Sequence, residues 1–289
     1  MNKYIIVSPV RNEEDYLDLT IKSVLNQTVK PMEYILVNDG STDKTPNIID
    51  KYVSKYSWIK RIDRGDRGHY LPGAGVVHTF YEGLAQATID NWDFVVKLDG
   101  DLEFEPDYFE KLFLEFEKNP KLGIASGCTY LPVNNRLIQE QTLKDHPKGA
   151  SKVYRKQCWE DIGGMKPVPG WDLADLLNAQ MKEWETVCFF ELKLIHHRLT
   201  GSRRKGIFGP KFLQGRFEYR HGYNFGYTFL KAAKDVVSKP FIIGSLAKIS
   251  GYLYAFIRKD EFIFDGETRK YLRKKHQNLL LNKIGIKTN

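Results

Sequence analysis

Two carboxylates one residue apart close an apolar run in which residues 94–101 read Phe-Val-Val-Lys-Leu-Asp-Gly-Asp. The run has the β-branched, water-avoiding character of a central strand, and the glycine between Asp99 and Asp101 allows a sharp turn at its end. Acidic side chains at the carboxyl end of such a strand lie where open α/β sheets bind ligands. Their oxygens suit a hard divalent ion, and magnesium-type ions commonly share their coordination between protein and substrate phosphates. Taken alone, Asp-Gly-Asp is equally an ordinary polar turn. Its company decides between the two.

Two earlier strand-like segments end in a similar way. Lys3–Ser8 runs into Pro9-Val10-Arg11-Asn12-Glu13-Glu14, and Tyr34–Asn38 runs into Asp39-Gly40-Ser41-Thr42-Asp43. In a doubly wound sheet the three strand ends converge on one edge, which makes a shared nucleotide cleft geometrically reasonable. A carboxylate such as Asp39 can there accept hydrogen bonds from a base N–H or from ribose hydroxyls. Singly, each segment is a turn built from residues that favour turns.

The elements that must carry these ends follow from periodicity. Helical spacing is expected over Glu14–Asn26, where Leu17, Ile21, Val24 and Leu25 share a face, and from Thr45 to Tyr56, with Pro46 in the first turn. Ile59–Ile62 reads as a short strand, His78–Ala87 as a helix, Asp107–Lys118 as an amphipathic helix, and Gly123–Tyr130 as a strand. A loop to about Lys148 then leads to a strand over Ala150–Tyr154. Residues 171–183 look helical and Val187–His196 strand-like. Strands alternating with helices of this length predict an α/β fold with a doubly wound, Rossmann-like, mostly parallel sheet.

With that order of elements in view, the runs "SPVRNEEDYLDLTIKSVLNQT", "YILVNDGSTDKT" and "VVKLDGDLEFEPDYFEKL" resemble the family-two glycosyltransferases of GT-A fold over about residues 3–200. The resemblance implies an inverting transferase that uses a nucleotide sugar and magnesium or manganese. By residue match it places Pro9, Arg11, Glu13 and Asp39 at the nucleotide, Asp99 at the ribose and Asp101 at the metal. It also implies a nucleotide-sugar half over about 1–101 and an acceptor half over about 102–200. Between the second and third motifs the correspondence is blurred. Asp63, Arg64 and Arg67 are donor-contact candidates there, and Gly68–Gly75 is either a segment that closes over the nucleotide or an ordinary surface loop.

The family places its catalytic Asp in the stretch Gly170-Trp171-Asp172-Leu173-Ala174-Asp175. Inversion needs one base for the acceptor hydroxyl while the metal stabilises the departing diphosphate. Asp172, beside Trp171 in a partly dry cleft, is the candidate base and Asp175 the reserve. The competing reading makes Asp172 a helix N-cap with Asp175 at the third helical residue. His196 and His197 end the late strand, and adjacent strand residues face opposite ways. At most one of them is thus a metal ligand; His196 is taken as that ligand, with a structural or acceptor-site role as the alternative. Arg198, Arg203 and Arg204 either meet phosphate or form a solvated basic loop, and Arg155 sits where relatives contact donor or acceptor.

Composition bounds the rest. At 289 residues the chain can hold one large domain or two small ones. Cys128, Cys158 and Cys188 are scattered and odd in number, which disfavours a disulfide framework or a zinc site and fits a cytoplasmic setting. The chain starts directly on a strand, so no secretory leader is expected. Residues 1–200 carry 25 Lys and Arg against 30 Asp and Glu, whereas residues 201–289 carry 19 against 6. That basic, helical C-terminal extension implies an anionic partner. Phe241–Ile257 is apolar but interrupted by Lys248, glycines and serines, so it lies on a membrane surface or packs as part of a helical pair rather than spanning a bilayer.

The expected partners are therefore a nucleotide-sugar donor, a glycan or lipid-linked acceptor and a peripheral membrane contact at the inner face, without nucleic acid. A nucleotidyltransferase is the runner-up, disfavoured because "PVRNEED" stands where its Gly-rich phosphate loop belongs. A non-enzymatic nucleic-acid binder has only the positive tail in its favour.

Overall fold

The computed structural model describes residues 2–65, 73–134, 136–198, 208–235 and 241–283. Arg67, Arg203, Arg204 and most of the Gly68–Gly75 stretch lie outside these. The chain divides into two compact units, Met1–Leu199 and Thr200–Asn289.

The first unit comprises β1 (Tyr4–Val10), α1 (Leu17–Leu25), β2 (Glu33–Asp39), α2 (Thr45–Val53), β3 (Ile59–Arg64), α3 (Ala74–Leu84), β4 (Phe94–Leu98) and β5 (Leu102–Phe104). It continues with α4 (Tyr108–Lys118), β6 (Leu122–Val133), β7 (Arg136–Gln139), β8 (Ser151–Arg155), α5 (Lys156–Ile162), α6 (Trp171–Met181) and β9 (Glu185–His196). The described strands form one sheet in the order β3-β2-β1-β4-β8-β6-β9-β5, with β7 paired to β6. The β3-β2-β1-β4 half is parallel, as alternation with helices requires. Strand β8 then enters antiparallel to both β4 and β6. Strands β6 and β9 run parallel to each other.

The apolar strands pack on both faces. Tyr4, Ile6, Leu36 and Val96 face a layer formed by α1, α2 and α4, including Leu17, Ile49, Phe109 and Phe113. Ile5, Val7, Ile35 and Val95 face Val77 and Phe80 of α3, Ile162 of α5 and Trp171 of α6. Burial on both sides is why these strands read as continuous apolar runs. It also makes β1 the switch point, with β2 on one side and β4 on the other, and the carboxyl ends at such a point are where open α/β sheets bind ligands.

Three elements of the first unit escaped the sequence patterning. Strand β5 spans three residues, β7 is exposed at all four positions inside the expected loop, and α5 is too short to build an apolar stripe. All three cysteines are buried free thiols. Arg155 is not in a donor site. Its guanidinium donates to the carbonyls of Leu122, Phe116 and Asn119 at 2.9, 2.7 and 3.2 Å and lies over the Phe94 and Phe116 rings. The bonds to Phe116 and Asn119 satisfy carbonyls at the end of α4 that the helix leaves open, and the bond to Leu122 adds the start of β6.

The second unit is helical where described: α7 (Phe208–Arg220), α8 (Phe225–Asp235), α9 (Phe241–Ile257) and α10 (Gly266–Lys283). Among the described residues no helix is long and apolar enough to cross a membrane.

Candidate active site

The loops after β1 and β2 are laced together. The Asn12 backbone, at a positive φ of 54°, donates to Ser41 Oγ at 3.1 Å, and the Asn12 side chain accepts from the Thr42 N–H at 2.8 Å. The Glu13 N–H donates to Thr45 Oγ1 at 2.8 Å and the Glu14 N–H to Asp43 at 3.1 Å. Turn residues 30 positions apart in sequence thus satisfy one another's backbone, and the first two motifs become one wall. Pro9 and Asp39 belong to that wall through the β1–β2 pairing, in which Pro9 stands opposite Val37. Asp39 is nearly buried and pairs with Arg64 at 3.3 Å. Arg64 also donates to Thr79 Oγ1 at 2.5 Å and pairs with Glu82. Asp63, by contrast, is used by Asn38 and Arg61.

The Asp99–Asp101 loop packs beneath this wall. Gly100 sits in its turn without a left-handed backbone; what it supplies is room. A Cβ there would stand 2.9 Å from Val10 Cγ1 and 3.4 Å from Glu13 Cγ. Asp99 pairs with Lys97, whose Nζ also donates to the Gly149 carbonyl at 2.9 Å. Desolvation and the Asp101 charge push the half-buried Asp99 carboxyl up, while Lys97 pulls it down.

Asp101 meets the end of β9. The antiparallel β5–β9 pairing sets Leu102 opposite His196, and the His197 N–H donates to the Asp101 carbonyl at 3.1 Å. The two histidine rings go separate ways. His196 Nε2 lies 3.5 Å from Asp101 Oδ2 and its Nδ1 lies 3.2 Å from Glu140. His197 pairs with Glu103 at 3.1 Å and stacks on Tyr16. Burial opposes charge on His196, but its two carboxylate neighbours outweigh it and raise its pKa to about 9. Reciprocally, and against their own burial, Asp101 is held below the usual carboxylate range and Glu140 is held to about 2. Arg198 forms a fork on Glu13, at 2.7 and 3.0 Å, so the Glu13 carboxylate ties the end of β9 to the β1 loop. Arg11 stands beside Glu13 in that loop and is half-buried.

Asp172 opens α6, behind Gly170 in the left-handed conformation with φ 78°, so neither Asp172 nor any other side chain caps this helix. Asp172 is exposed rather than dry. It reaches the Asp99 neighbourhood, since a Cβ on Gly149 would lie 3.4 Å from the Asp172 Cβ. Asp175 is a different case from its expected reserve role. It is fully buried, 2.7 Å from Lys152 Nζ, and hydrogen-bonded by Tyr154. Lys152 Nζ also donates to the Asp172 carbonyl at 2.6 Å, and Lys97 and Lys152, paired across β4 and β8, both lie over the Trp171 ring.

Lys97, Lys152 and Glu140 were not singled out from sequence. A lysine inside an apolar strand is itself a signal, because a buried ammonium needs a partner. Glu140 carries no such signal.

For a divalent cation the donor set fits. A carboxylate and an imidazole nitrogen lie side by side, and the other imidazole nitrogen is oriented by a carboxylate, as metal-binding histidines usually are. No group of three or more His, Cys, Asp or Glu in ligating arrangement occurs among the described residues. An ion here would therefore draw its remaining ligands from phosphate and water, in the manner of magnesium.

Residues 5–167, more than half of the chain, match the family described as glycosyl transferase family 2. A putative glycosyltransferase EpsH of Bacillus subtilis (strain 168) is 29% identical over 142 residues, 48% of this chain and 38% of the relative. A poly-beta-1,6-N-acetyl-D-glucosamine synthase of Staphylococcus epidermidis is 31% identical over 116 residues, 40% of this chain and 26% of the relative. The chain thus spans well under half of the length of these curated relatives. Among solved structures, the mannosyltransferase PcManGT from Pyrobaculum calidifontis in complex with GDP-Man and Mn2+ superposes with a TM-score of 0.56 at 13% identity, covering 97% of this chain and 80% of that one. S. aureus TarS 1-349 in complex with UDP-GlcNAc superposes with a TM-score of 0.54 at 16% identity, covering 93% and 78%. The mixed sheet is that of the GT-A glycosyltransferases, and the chain belongs to glycosyl transferase family 2.

Proposed function

We propose that the chain is an inverting, metal-dependent glycosyltransferase. It moves a sugar from a UDP- or GDP-linked donor to an acceptor hydroxyl in glycan or polysaccharide assembly. The observation that carries this reading is the meeting of Asp101 and His196, 3.5 Å apart, with Asp39 at the end of β2 and Asp99 just past β4 in the same sheet. The relatives' polysaccharide chemistry and the GDP-mannose and UDP-N-acetylglucosamine complexes of structural neighbours support it.

In this reading Pro9, Arg11, Glu13 and Asp39 line the nucleotide site, and Asp99, oriented by Lys97, accepts from the ribose hydroxyls. Asp101 and His196 hold the divalent ion, which when bound offsets the charge of the departing diphosphate. Asp172 takes the proton of the acceptor hydroxyl as that oxygen bonds to the anomeric carbon, opposite the breaking bond to the diphosphate. An exposed carboxylate suits a base that must meet an incoming acceptor.

A thermal-shift and transfer assay tests the roles separately. Asp101→Asn is expected to remove the manganese-dependent part of the stabilisation given by UDP or GDP. Asp172→Asn is expected to keep that stabilisation and lose about 10²–10⁴-fold in kcat. Full transfer by either variant removes its assigned role. No response to any nucleotide or nucleotide sugar, with or without manganese, removes the whole reading.

A further inference from the structure

Helix α9 is built inside out. Gly244, Ser245, Ala247, Lys248, Gly251, Tyr252 and Ala255 are buried in the second unit, small or polar residues apart from the one tyrosine, whereas Ile242, Ile243, Leu246, Leu253, Phe256 and Ile257 face solvent. The exposure is large, 62% for Ile243, 60% for Phe256 and 77% for Ile257. A helix on a globular unit ordinarily turns its apolar stripe inward. A contiguous apolar face left outside marks an interaction surface.

The packing beneath α9 explains how it holds this orientation. A Cβ added to Gly215 of α7 would stand 1.8 Å from the Lys248 carbonyl oxygen, and one added to Gly251 would stand 1.9 Å from that of Phe212. The two backbones therefore touch through glycines, the contact used by helices whose outer faces meet lipid. Lys248, fully buried, lies 3.4 Å from Glu218 and from Asp235, and Ser245 Oγ donates to the Ala232 carbonyl at 2.7 Å. Ser245 and Lys248 thus find polar partners within the unit.

We propose that the outer face of α9 lies in the interface of an anionic lipid bilayer and holds the protein on the membrane surface. With 17 residues, interrupted by Lys248, glycines and serines, α9 is not long and apolar enough to cross a bilayer. Lying flat, an interfacial helix buries its apolar face only about 5–10 Å deep. Charge selects the occupant. Residues 201–289 hold 19 Lys and Arg against 6 Asp and Glu, Arg258 and Lys259 are exposed just past α9, and Lys270, Arg273 and Lys274 are exposed on α10. Anionic headgroups attract such a surface, whereas a second copy would oppose like charge to like charge. A nucleic acid would use the charge and leave the apolar face bare. The proposal rests on the transferase reading only for what the membrane would bring, a lipid-linked acceptor.

The test is co-sedimentation of the full chain with vesicles of phosphatidylcholine alone or mixed with phosphatidylglycerol. Binding is expected to the anionic vesicles, to weaken as salt is raised, and to need roughly tenfold more lipid or beyond in the triple variant Ile243→Ser, Leu246→Ser, Phe256→Ser. The thermal melt of that variant should match the parent, since the replaced side chains are exposed. If it melts lower, the double variant Arg258→Glu, Lys259→Glu decides, and must weaken binding to anionic vesicles only. Equal binding by parent and variants, no pelleting with any vesicle, or a dimer in light scattering that the triple variant abolishes would each overturn the proposal. Vesicle binding needs no turnover, so its failure leaves the transferase reading intact, and a silent nucleotide screen leaves this one intact.

Discussion

His196 carries the sharpest consequence at the residue scale. Its proton is held between Asp101 and Glu140 and its pKa rises from 6.5 to about 9. Because the folded chain binds that proton more tightly than the unfolded one, the stabilisation is whole below about pH 6.5 and is lost as pH rises through about 9. In a chelator, the melting temperature of the protein should therefore fall across this window, and His196→Asn should remove that part of the slope. Identical slopes for parent and variant would show that the ring is not charged there. The acidic pair was legible in sequence as a candidate metal site. Glu140 was not, because it follows an exposed strand with no apolar pattern and meets His196 across 56 residues.

At the scale of elements, the entry to α6 depends on β8. Lys152 and Asp175 are both fully buried, 2.7 Å apart, and Lys152 also holds the Asp172 carbonyl. Removing one partner of such a pair strands a charge in the interior, which typically costs about 3–5 kcal/mol. Lys152→Met is thus expected to lower unfolding stability in urea by that order, and Lys152→Met with Asp175→Leu to recover much of it. A loss below about 1 kcal/mol would show that solvent reaches the site. The Asp-x-x-Asp spacing suggested a capping arrangement, but Gly170 already provides the left-handed entry and frees Asp175 to point inward. Local spacing shows that two residues can share a helix turn; which way the turn faces depends on what packs against it.

For the whole molecule, each unit can be probed by itself. Pro9, Arg11, Glu13, Asp39, Asp99, Asp101 and His196 belong to the first unit, while the Gly215–Lys248 backbone contact belongs to the second. Gly215→Val must push α7 from α9, an overpacking cost of about 1–3 kcal/mol. It should abolish vesicle binding while stabilisation by UDP or GDP with manganese survives. Loss of both responses together would show that the first unit's site depends on the second unit's packing.

What the amino-acid order determined by itself was local. Apolar runs, helical spacing and turn residues are neighbours in the chain, so strand Phe94–Leu98, helix Phe241–Ile257 and the three polar strand ends could be read directly. Tertiary structure decided what lies beyond that reach. It set β8 antiparallel in the sheet, since periodicity does not encode strand direction. It joined Arg198 to Glu13 across 185 residues and His196 to Asp101 across the β5–β9 pairing. It also turned Ile243, Leu246, Phe256 and Ile257 of α9 outward while burying Tyr252. Charge pairing and facing depend on which distant surfaces share a space, and only the packed chain brings those surfaces together.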